Sequence, residues 1–568
     1  MSDISHISHT RLFHSPNIIY ISLCIPLLLC FPSLFVGLVG DDYFHKAVLT
    51  NTLPYPSNPL MDLFAFFQGE ATNPFLIDIG VLSWWSEPDI QASFMRPISA
   101  LSHIIDYILW PNHIVMHHLH SIIWMTACIW MAYQVFRLIL PKETGILYLC
   151  ILIFAVEDAH VMATSWIANR NACIAFFFSM LCLKHHILWS EGKDLSKYNS
   201  QCFFVLALLS GESGICVWGY LLAYNIIFLP FQLQSLSKYL PYVIWIGLWR
   251  ILYRSLGFGT FGSGLYIDPL QSPMLFLQEL LYRGPLLFSS LYLQFPAEIG
   301  IFIPPTAQLF VQIFCIAFFL FCVYQVYRKK NKIFTFCFFG SILSIIPLCG
   351  AFPMERLLLF PSFGFAILVS QFVFEHSNFL SKMVLFFHLP IACVLHVVKG
   401  LNLFLLKHMF SIGYNGIPQN IQPQQNIFFV NGMELPCAYT TILSFDSNIQ
   451  FQGISMLSSS TKTATLTKIN DTDFILSYTS GMFEGTFDRM TINDNHIFEP
   501  KSTIQRKNFE VTILETIEGE PSRVQFHVPK GIEHPDFIWL VQQGFEFVPF
   551  SFPSDDQPII IEPFFFYL

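Results

Sequence analysis

The stretch Val39-Gly40-Asp41-Asp42-Tyr43-Phe44-His45 follows directly on an apolar run over residues 18–39. It places two carboxylates where a membrane-spanning segment would end. Charge beside a bilayer is costly unless it has a partner or a function. A second acidic pair, Glu157-Asp158, ends a later apolar run in the same way. If both pairs lie on one side of a membrane, they can contribute to a single site there.

The composition places most of the chain in lipid. Of its 568 residues, 54% are hydrophobic and only 12% are charged, whereas ordinary globular proteins carry about 25% charged residues. The formal net charge is −9, and much of the acid lies after residue 430. The sequence has no basic patch interleaved with aromatic residues, so we expect no nucleic-acid partner. All Cys except Cys437 lie in apolar runs, which predicts buried thiols and no disulfide framework.

Hydropathy predicts a mainly α-helical bundle of about eleven membrane spans. The first run is long enough to cross a bilayer, and we interpret it as an uncleaved span rather than a signal peptide. Two of the predicted spans flank Gly211-Glu212-Ser213-Gly214; these are either half-spans meeting at a turn or one helix with a buried Glu212. The predicted spans lie near residues 18–39, 113–139, 145–156, 166–188, 201–211, 215–229, 240–256, 306–327, 333–350, 357–374 and 383–400.

The positions of Lys and Arg predict the orientation of the chain, because these residues accumulate in cytoplasmic loops. They fall in alternate loops, which puts the N-terminus inside and the chain after about residue 408 outside. The sequence therefore predicts a membrane domain over 1–407, with outer loops at 40–112 and 257–305. Short alternating runs from about Asn426 predict a β-rich domain over 408–568.

With this orientation, nearly every unusual polar residue of the membrane part faces outside. Asp41 and Asp42 are candidates for a general base or metal ligands, or they cap a helix. Glu212 is either a site carboxylate or a polar link between half-spans. The His117-His118-Leu119-His120 cluster offers metal ligands or interfacial side chains. The remaining residues of this group are His45, Arg96, Glu157, Asp158, His160, Trp166, Arg170, Glu355 and Arg356.

Two Arg residues are candidates for binding a phosphate. Trp166 and Arg170 are four residues apart, hence on one helix face, close after Glu157 and Asp158. An Arg in that position suits recognition of a phosphate, although Trp and Arg are also common at lipid headgroups. Arg356 is either a second anion-binding group or a partner of its neighbour Glu355.

Four stretches together resemble one family. Three of these stretches occur in that family's order. They are Phe94-Met95-Arg96-Pro97-Ile98-Ser99-Ala100-Leu101 with the His cluster, His160 with Trp166-Ile167-Ala168-Asn169-Arg170, and Leu209-Ser210-Gly211-Glu212-Ser213-Gly214-Ile215. The fourth stretch is the most specific match and reads Glu355-Arg356-Leu357-Leu358-Leu359-Phe360-Pro361-Ser362-Phe363-Gly364. They are similar to motifs of GT-C-type membrane glycosyltransferases, in particular the transmembrane O-mannosyltransferases that carry tetratricopeptide repeats, and their uncharacterised bacterial relatives.

The resemblance covers roughly residues 37–365, and the chain departs from the pattern at a few positions. Glu157 stands where the family has a His, Gly211 where it has a Lys, and Met125 where a further His would follow the His117-His118 block. The predicted β-rich domain also stands in place of the family's tetratricopeptide repeats.

The resemblance implies a polyprenyl-phosphate-linked sugar donor and an acidic catalytic site in the first outer loop. Asp41 or Asp42, with Glu157 and Asp158, would then be catalytic, and Arg170 and Arg356 would hold the leaving phosphate. His45, Arg96, His118, His160, Trp166, Glu212 and Glu355 would complete the substrate site. The resemblance also implies a bacterial plasma membrane and a membrane-lipid partner. The sequence leaves the cofactor unknown, with a divalent metal as one candidate.

The sequence favours transfer of a sugar from the lipid carrier to an acceptor at the outer face. The alternative is a non-enzymatic envelope protein on a degenerate GT-C scaffold that handles lipid carriers or surface-polymer assembly. A transporter ranks last, because we find no internal repeat and the charges do not lie at the bilayer midplane.

Overall fold

The computed structural model describes residues 11–230, 233–301, 303–376, 378–445, 447, 449–459, 461–483, 488–492, 496–554 and 557–564. The chain is mainly helical, and the larger sheets follow residue 426. The described α-helices are α1 (Asn17–Leu29), α2 (Asp41–Leu49), α3 (Asn73–Ile79), α4 (Pro97–Leu109), α5 (Ile114–Ile139), α6 (Thr144–Val156), α7 (Val161–Ser165), α8 (Arg170–Ser190), α9 (Leu195–Ser210), α10 (Val217–Phe228), α11 (Leu233–Ser255), α12 (Pro273–Leu293), α13 (Pro305–Lys329), α14 (Lys332–Leu348), α15 (Leu359–Glu375), α16 (Phe379–Phe386), α17 (Ala392–Asn415) and α18 (Glu434–Ser444).

Five of the described helical segments are long and apolar enough to cross a bilayer. These are Asn17–Phe35, Ile114–Ile139, Ile167–Ser190, Thr306–Lys329 and Phe379–Asn415. A sixth span results if Thr144–Val156 and Asp158–Ser165, bent by 46°, are taken together. The protein is therefore a multi-pass membrane protein.

The predicted count of about eleven spans is not confirmed. The segments near 333–350 and 357–374 form apolar helices of only 17 residues, α14 and α15. The segments near 201–211 and 215–229 form α9 and α10, which are separated by a 3-10 turn over Glu212–Cys216. The chain therefore does not form one continuous helix through Glu212, because the α-helical backbone is interrupted at Gly211.

Close packing of α14, α15 and α10 gives a structural reason for part of the most specific motif. A Cβ atom on Gly364 would lie 2.4 Å from the carbonyl oxygen of Cys337, so only glycine allows this approach. The hydroxyl of Tyr220 accepts a hydrogen bond from the backbone N–H of Gly364 at 3.0 Å and donates to the carbonyl of Phe360 at 2.9 Å. The motif thus begins with Glu355 and Arg356 and ends in a tightly packed helix.

The chain contains three described sheets. A three-stranded sheet in the order β1-β2-β3 joins the first outer loop to the segment that follows α11. A six-stranded antiparallel sheet has the order β13-β6-β7-β10-β9-β8. A four-stranded sheet has the order β12-β11-β4-β5, in which β4 is parallel to both β5 and β11. The strands are β1 (Ala65–Gln68), β2 (Gln91–Ser93), β3 (Gly259–Phe261), β4 (Asn426–Phe429), β5 (Gly453–Met456), β6 (Ala464–Lys468), β7 (Asp473–Ser477), β8 (Thr503–Gln505), β9 (Glu510–Ile517), β10 (Glu520–His527), β11 (Phe537–Gln543), β12 (Glu546–Pro549) and β13 (Pro558–Ile561).

The part of the chain after residue 426, here called the C-terminal region, shares its apolar core with the first outer loop. Trp84 and Trp85 of that loop are buried in the same hydrophobic cluster as the strands of both C-terminal sheets. The indole Nε1 of Trp84 donates a hydrogen bond to the carbonyl of Leu457 at 3.0 Å. Arg506 in turn donates to the carbonyl of Trp84 at 2.7 Å. These contacts fix the C-terminal region over the first outer loop.

Candidate functional site

Helix α2 begins at the acidic pair and presents its two carboxylates to different surroundings. Asp41 accepts a hydrogen bond from the hydroxyl of Tyr439, which lies in α18 of the C-terminal region. Burial raises the pKa of Asp41, while that hydrogen bond and the charges of Arg356 and Arg96 act in the opposite direction. Asp41 is thus a carboxylate with a raised pKa held by a residue almost 400 positions away.

Asp42 is buried, and its carboxylate binds backbone N–H groups rather than lining a cavity. Its Oδ2 accepts from the N–H of Val39 at 2.9 Å, and its Oδ1 accepts from the N–H of Ala168 at 2.6 Å. Burial raises its pKa to about 8. Both oxygens are therefore engaged in joining the start of α2 to the turn before α8.

Arg356 lies beside this pair. Its guanidinium carbon is 5.4 Å from the centroid of the Trp166 ring, a distance typical of a cation–π contact. The indole Nε1 of Trp166 donates to the carbonyl of Val39 at 2.9 Å, which fixes the ring next to α2. The buried Nε of Arg356 has no hydrogen-bond partner among the described residues. Arg356 therefore combines a positive charge with an unused donor.

Two cavities meet at these residues. The larger cavity has a volume of about 470 Å³, and the smaller cavity has a volume of about 260 Å³. Both are lined mainly by apolar side chains. The walls that they share are formed by Asp41, Phe66, Phe94, Trp166, Tyr266 and Arg356.

The larger cavity contains three further residues predicted from the sequence, Arg96, Glu212 and His45. Arg96 pairs with Glu212 at 2.7 Å, and its guanidinium lies 4.5 Å from the centroid of the Phe94 ring. Burial and the nearby charges of Arg96 and Arg170 lower the pKa of His45 to about 3, so this imidazole is neutral. Its two ring nitrogens have no partner within the described part of the chain.

The second acidic pair lies next to the site, behind Arg356, and does not line either cavity. Lys399 of α17 forms ion pairs with both Asp158 and Glu355. Burial raises the pKa of Glu355 to about 7, while Lys399 opposes that shift. Glu298 accepts a hydrogen bond from the N–H of Glu355 at 3.0 Å, and Glu157 is buried beside Asp158. This cluster fixes the turn that carries Arg356.

Arg170 is completely buried and lines neither cavity. Its Nη1 lies 2.5 Å from Asp106 Oδ2, and its Nη2 donates to the carbonyl of His117 at 2.7 Å. Further hydrogen bonds go to Ser121 at 2.8 Å and to Ser102 at 3.1 Å. With its donors used in this way, Arg170 joins α4, α5 and α8 and positions residues of the site.

The histidines predicted from the sequence contact separate partners. His118 donates to the carbonyl of Gly37 at 2.9 Å, and His120 lies 2.6 Å from Asp106. His117 donates to the carbonyl of Trp110 at 2.9 Å, and His160 is paired with Ser362 at 2.8 Å. Across the described ranges, no three His, Cys, Asp or Glu side chains form a group suited to a metal ion.

Several residues of this arrangement were not found from the sequence. Asp106 is the one charged residue of the apolar helix α4, and Lys399 lies in the middle of an apolar run of α17; an ionisable residue in such a place usually has a partner. That signal was available for both. Tyr439 carries no comparable signal, because an aromatic residue in a short helix is ordinary.

The chain is 26% identical over 166 residues to the protein O-mannosyl-transferase Tmtc1 of Drosophila melanogaster. The match spans 29% of this chain and 18% of that protein. The resemblance to membrane glycosyltransferases is confirmed. No family model matches the chain.

A solved structure of ArnT from Cupriavidus metallidurans, bound to undecaprenyl phosphate, aligns with 78% of this chain and 90% of its own. The TM-score is 0.31 and the sequence identity is 11%.

Proposed function

We propose that this protein transfers a sugar from a polyprenyl-phosphate-linked donor to a hydroxyl group of an acceptor at the outer face of the membrane. The observation that carries the proposal is the position of Asp41 and Arg356 in the walls shared by the two cavities. A base and an anion-binding group at such a junction suit a reaction between two substrates, one in each cavity. The similarity to an O-mannosyl-transferase supports the same class of reaction.

The larger cavity is the better candidate for the lipid-linked donor. Its lining includes Arg96, Arg250 and Arg356. Arg96 and Arg250 are ion-paired with Glu212 and Asp268, whereas Arg356 has an unused donor, and guanidinium groups bind phosphate through paired hydrogen bonds. Helix α11 forms part of its wall, and the same helix carries several exposed apolar side chains. Those side chains suit contact with lipid, so a polyprenyl chain in the bilayer has a short path to the cavity.

In the proposed reaction the acceptor oxygen attacks the anomeric carbon of the donor sugar. A new bond forms between these two atoms, and the bond from the anomeric carbon to the phosphate oxygen breaks. Asp41 takes the proton from the acceptor hydroxyl. Arg356 stabilises the negative charge on the departing polyprenyl phosphate, since a fixed cation placed where charge develops lowers the barrier.

Asp42, Asp158 and Arg170 have positioning roles in this proposal, since they bind backbone N–H groups, Lys399 and neighbouring helices around the site. Glu157 is buried beside Asp158 and lines neither cavity. We propose that the site and the C-terminal region lie outside the plasma membrane, as the distribution of Lys and Arg predicts.

Substitution Asp41→Asn tests the proposal. It keeps the size of the side chain and removes the base, so we expect transfer of labelled sugar from polyprenyl phosphate to fall by roughly 100-fold or more. Binding of polyprenyl phosphate and the thermal unfolding midpoint should remain close to those of the native protein. Asp62→Asn is the matched control, because Asp62 lies in the same loop and lines neither cavity. Full activity of Asp41→Asn would contradict the proposal.

A further inference from the structure

The smaller cavity is built jointly by the first outer loop and the C-terminal region. Helix α18 contributes one wall, which is largely apolar, and α2 with the loop after it contributes the opposite wall. At about 260 Å³ the cavity lies near the lower limit for sites that enclose a drug-sized molecule, about 300 Å³. The α18 residues in its wall are Glu434, Leu435, Ala438, Tyr439 and Ile442.

The charges of the smaller cavity differ from those of the larger cavity. Among the described lining residues, its one cationic side chain is Arg356, and its carboxyl groups are Asp41 and Glu434. The larger cavity has Arg96 and Arg250 in addition to Arg356, against the carboxyl groups of Asp41, Glu212 and Asp268. Its cations thus balance its carboxyl groups, whereas the carboxyl groups outnumber the one described cation in the smaller cavity. A phosphate is therefore disfavoured in the smaller cavity, which leaves that cavity to an uncharged occupant.

Glu434 provides a further polar group in the wall of the smaller cavity, in addition to Asp41. Its Oε1 accepts hydrogen bonds from Ser83 at 3.1 Å and from Thr491 at 2.8 Å. Its Oε2 is buried and has no protein partner among the residues that the structure describes. The side chain is 7% exposed, and burial raises its pKa to about 8. A protonated Glu434 can donate one hydrogen bond to an occupant of the cavity.

We propose that the smaller cavity is the acceptor site, and that it takes a compact amphiphile with an apolar body and a hydroxyl group. This inference rests on the proposed glycosyltransferase activity and adds the chemical class of the acceptor. The hydroxyl meets Asp41 and Arg356 at the shared wall, and the apolar body packs against α18. A second polar group of the acceptor meets Glu434. The product is the glycosylated amphiphile, released together with polyprenyl phosphate.

The test compares two acceptors on the full chain reconstituted in lipid nanodiscs. Labelled polyprenyl-phosphate hexoses serve as donors, and octyl glucoside or a short peptide containing Ser and Thr serves as acceptor. We expect label on octyl glucoside and little on the peptide. Transfer to the peptide alone would overturn the inference and leave the proposed function standing. Failure to bind polyprenyl phosphate, with no transfer to either acceptor, would overturn both.

Substitutions in α18 locate the acceptor. Ala438→Phe places a ring in the cavity, so the KM for octyl glucoside should rise by roughly tenfold while binding of polyprenyl phosphate stays within about twofold. Leu443→Phe is the control, because Leu443 lies in the same helix and does not line the cavity. Retained binding of polyprenyl phosphate shows that a variant is folded.

Ile442→Ala provides a second measurement that does not depend on the added ring. It widens the cavity, so preference should shift toward a glucoside with a bulkier tail. An unchanged KM in Ala438→Phe together with unchanged preference in Ile442→Ala would overturn the inference.

Discussion

At the scale of single residues, the acidic pair shows how neighbours in sequence acquire different roles. Successive residues of an α-helix point about 100° apart, so Asp41 and Asp42 at the start of α2 face different surroundings. Asp41 lines both cavities, whereas Asp42 binds two backbone N–H groups. The dipeptide alone identified the pair but could not distinguish its members, because that depends on where α2 packs.

Tyr439→Phe should change the pH dependence of transfer. A base works in its ionised form, so activity rises with pH through the pKa of Asp41. The hydrogen bond from Tyr439 favours the ionised carboxylate and holds that pKa down. Its loss should move the acidic limb of the pH–rate profile to higher pH by about one unit, since a hydrogen bond to a charged group contributes about 1.5 kcal/mol.

The pH–rate profile separates this effect from simple destabilisation, which would lower the rate at every pH. Tyr198→Phe is the control, because Tyr198 is 69% exposed and lies outside both cavities. An acidic limb at the native position in Tyr439→Phe would show that Asp41 is not the group that titrates.

The sequence identified the residues that surround Asp41 but not the side chains that hold those residues in place. Asp41, Arg96, Trp166, Glu212 and Arg356 were all selected from the sequence, and all line the larger cavity. Motif order and the side of the membrane were sufficient for that selection. The residues that hold them, Asp106, Lys399 and Tyr439, contact partners far away in sequence, and pairing over such distances requires the packed structure.

At the scale of helices, Arg170 shows that a motif residue can act through packing. The sequence predicted that Arg170 binds a phosphate and that it shares one helix face with Trp166. That second expectation is wrong, because Trp166 is extended and precedes a 3-10 turn over Ile167–Asn169, outside α8. Instead of a phosphate, the structure gives Arg170 protein partners on α4 and α5. Isolated buried charge is very costly, and a paired, hydrogen-bonded Arg avoids that cost. Its role is therefore to fix the relative positions of three helices.

Arg170→Lys and Arg356→Lys form a matched pair that distinguishes packing from binding. Lys keeps the charge and lacks the planar fork of donors. Arg170→Lys should lower the stability of the fold by about 3 kcal/mol, seen as a lower unfolding midpoint, with an unchanged donor KM in the folded fraction. Arg356→Lys should leave the midpoint nearly unchanged and raise the donor KM by roughly tenfold.

The opposite result would exchange the two roles. A raised donor KM with native stability in Arg170→Lys would assign the phosphate to Arg170, as the sequence predicted. Both unfolding curves should be recorded in the same nanodiscs without donor, because a bound ligand stabilises the folded state.

At the scale of the whole molecule, the two cavities depend on different parts of the chain. The described lining of the larger cavity ends at Phe360, whereas the smaller cavity draws residues from α17, α18 and the segment around Thr491. The C-terminal region is held to the membrane part by Trp84 and Trp85. The sequence predicted that this region is β-rich but gave no sign that its helix α18 reaches Asp41, because that contact follows from how the region docks.

Trp84→Ala should therefore affect one cavity and spare the other. The indole is 2% exposed and bonded to Leu457, and its removal should weaken docking by about 3–5 kcal/mol. We expect faster proteolysis of the C-terminal region and a marked loss of transfer, while polyprenyl phosphate binds as before. Trp130→Ala, at a position 44% exposed on α5, is the control. If transfer survives after the C-terminal region has become sensitive to protease, then neither Tyr439 nor the wall formed by α18 takes part in the reaction.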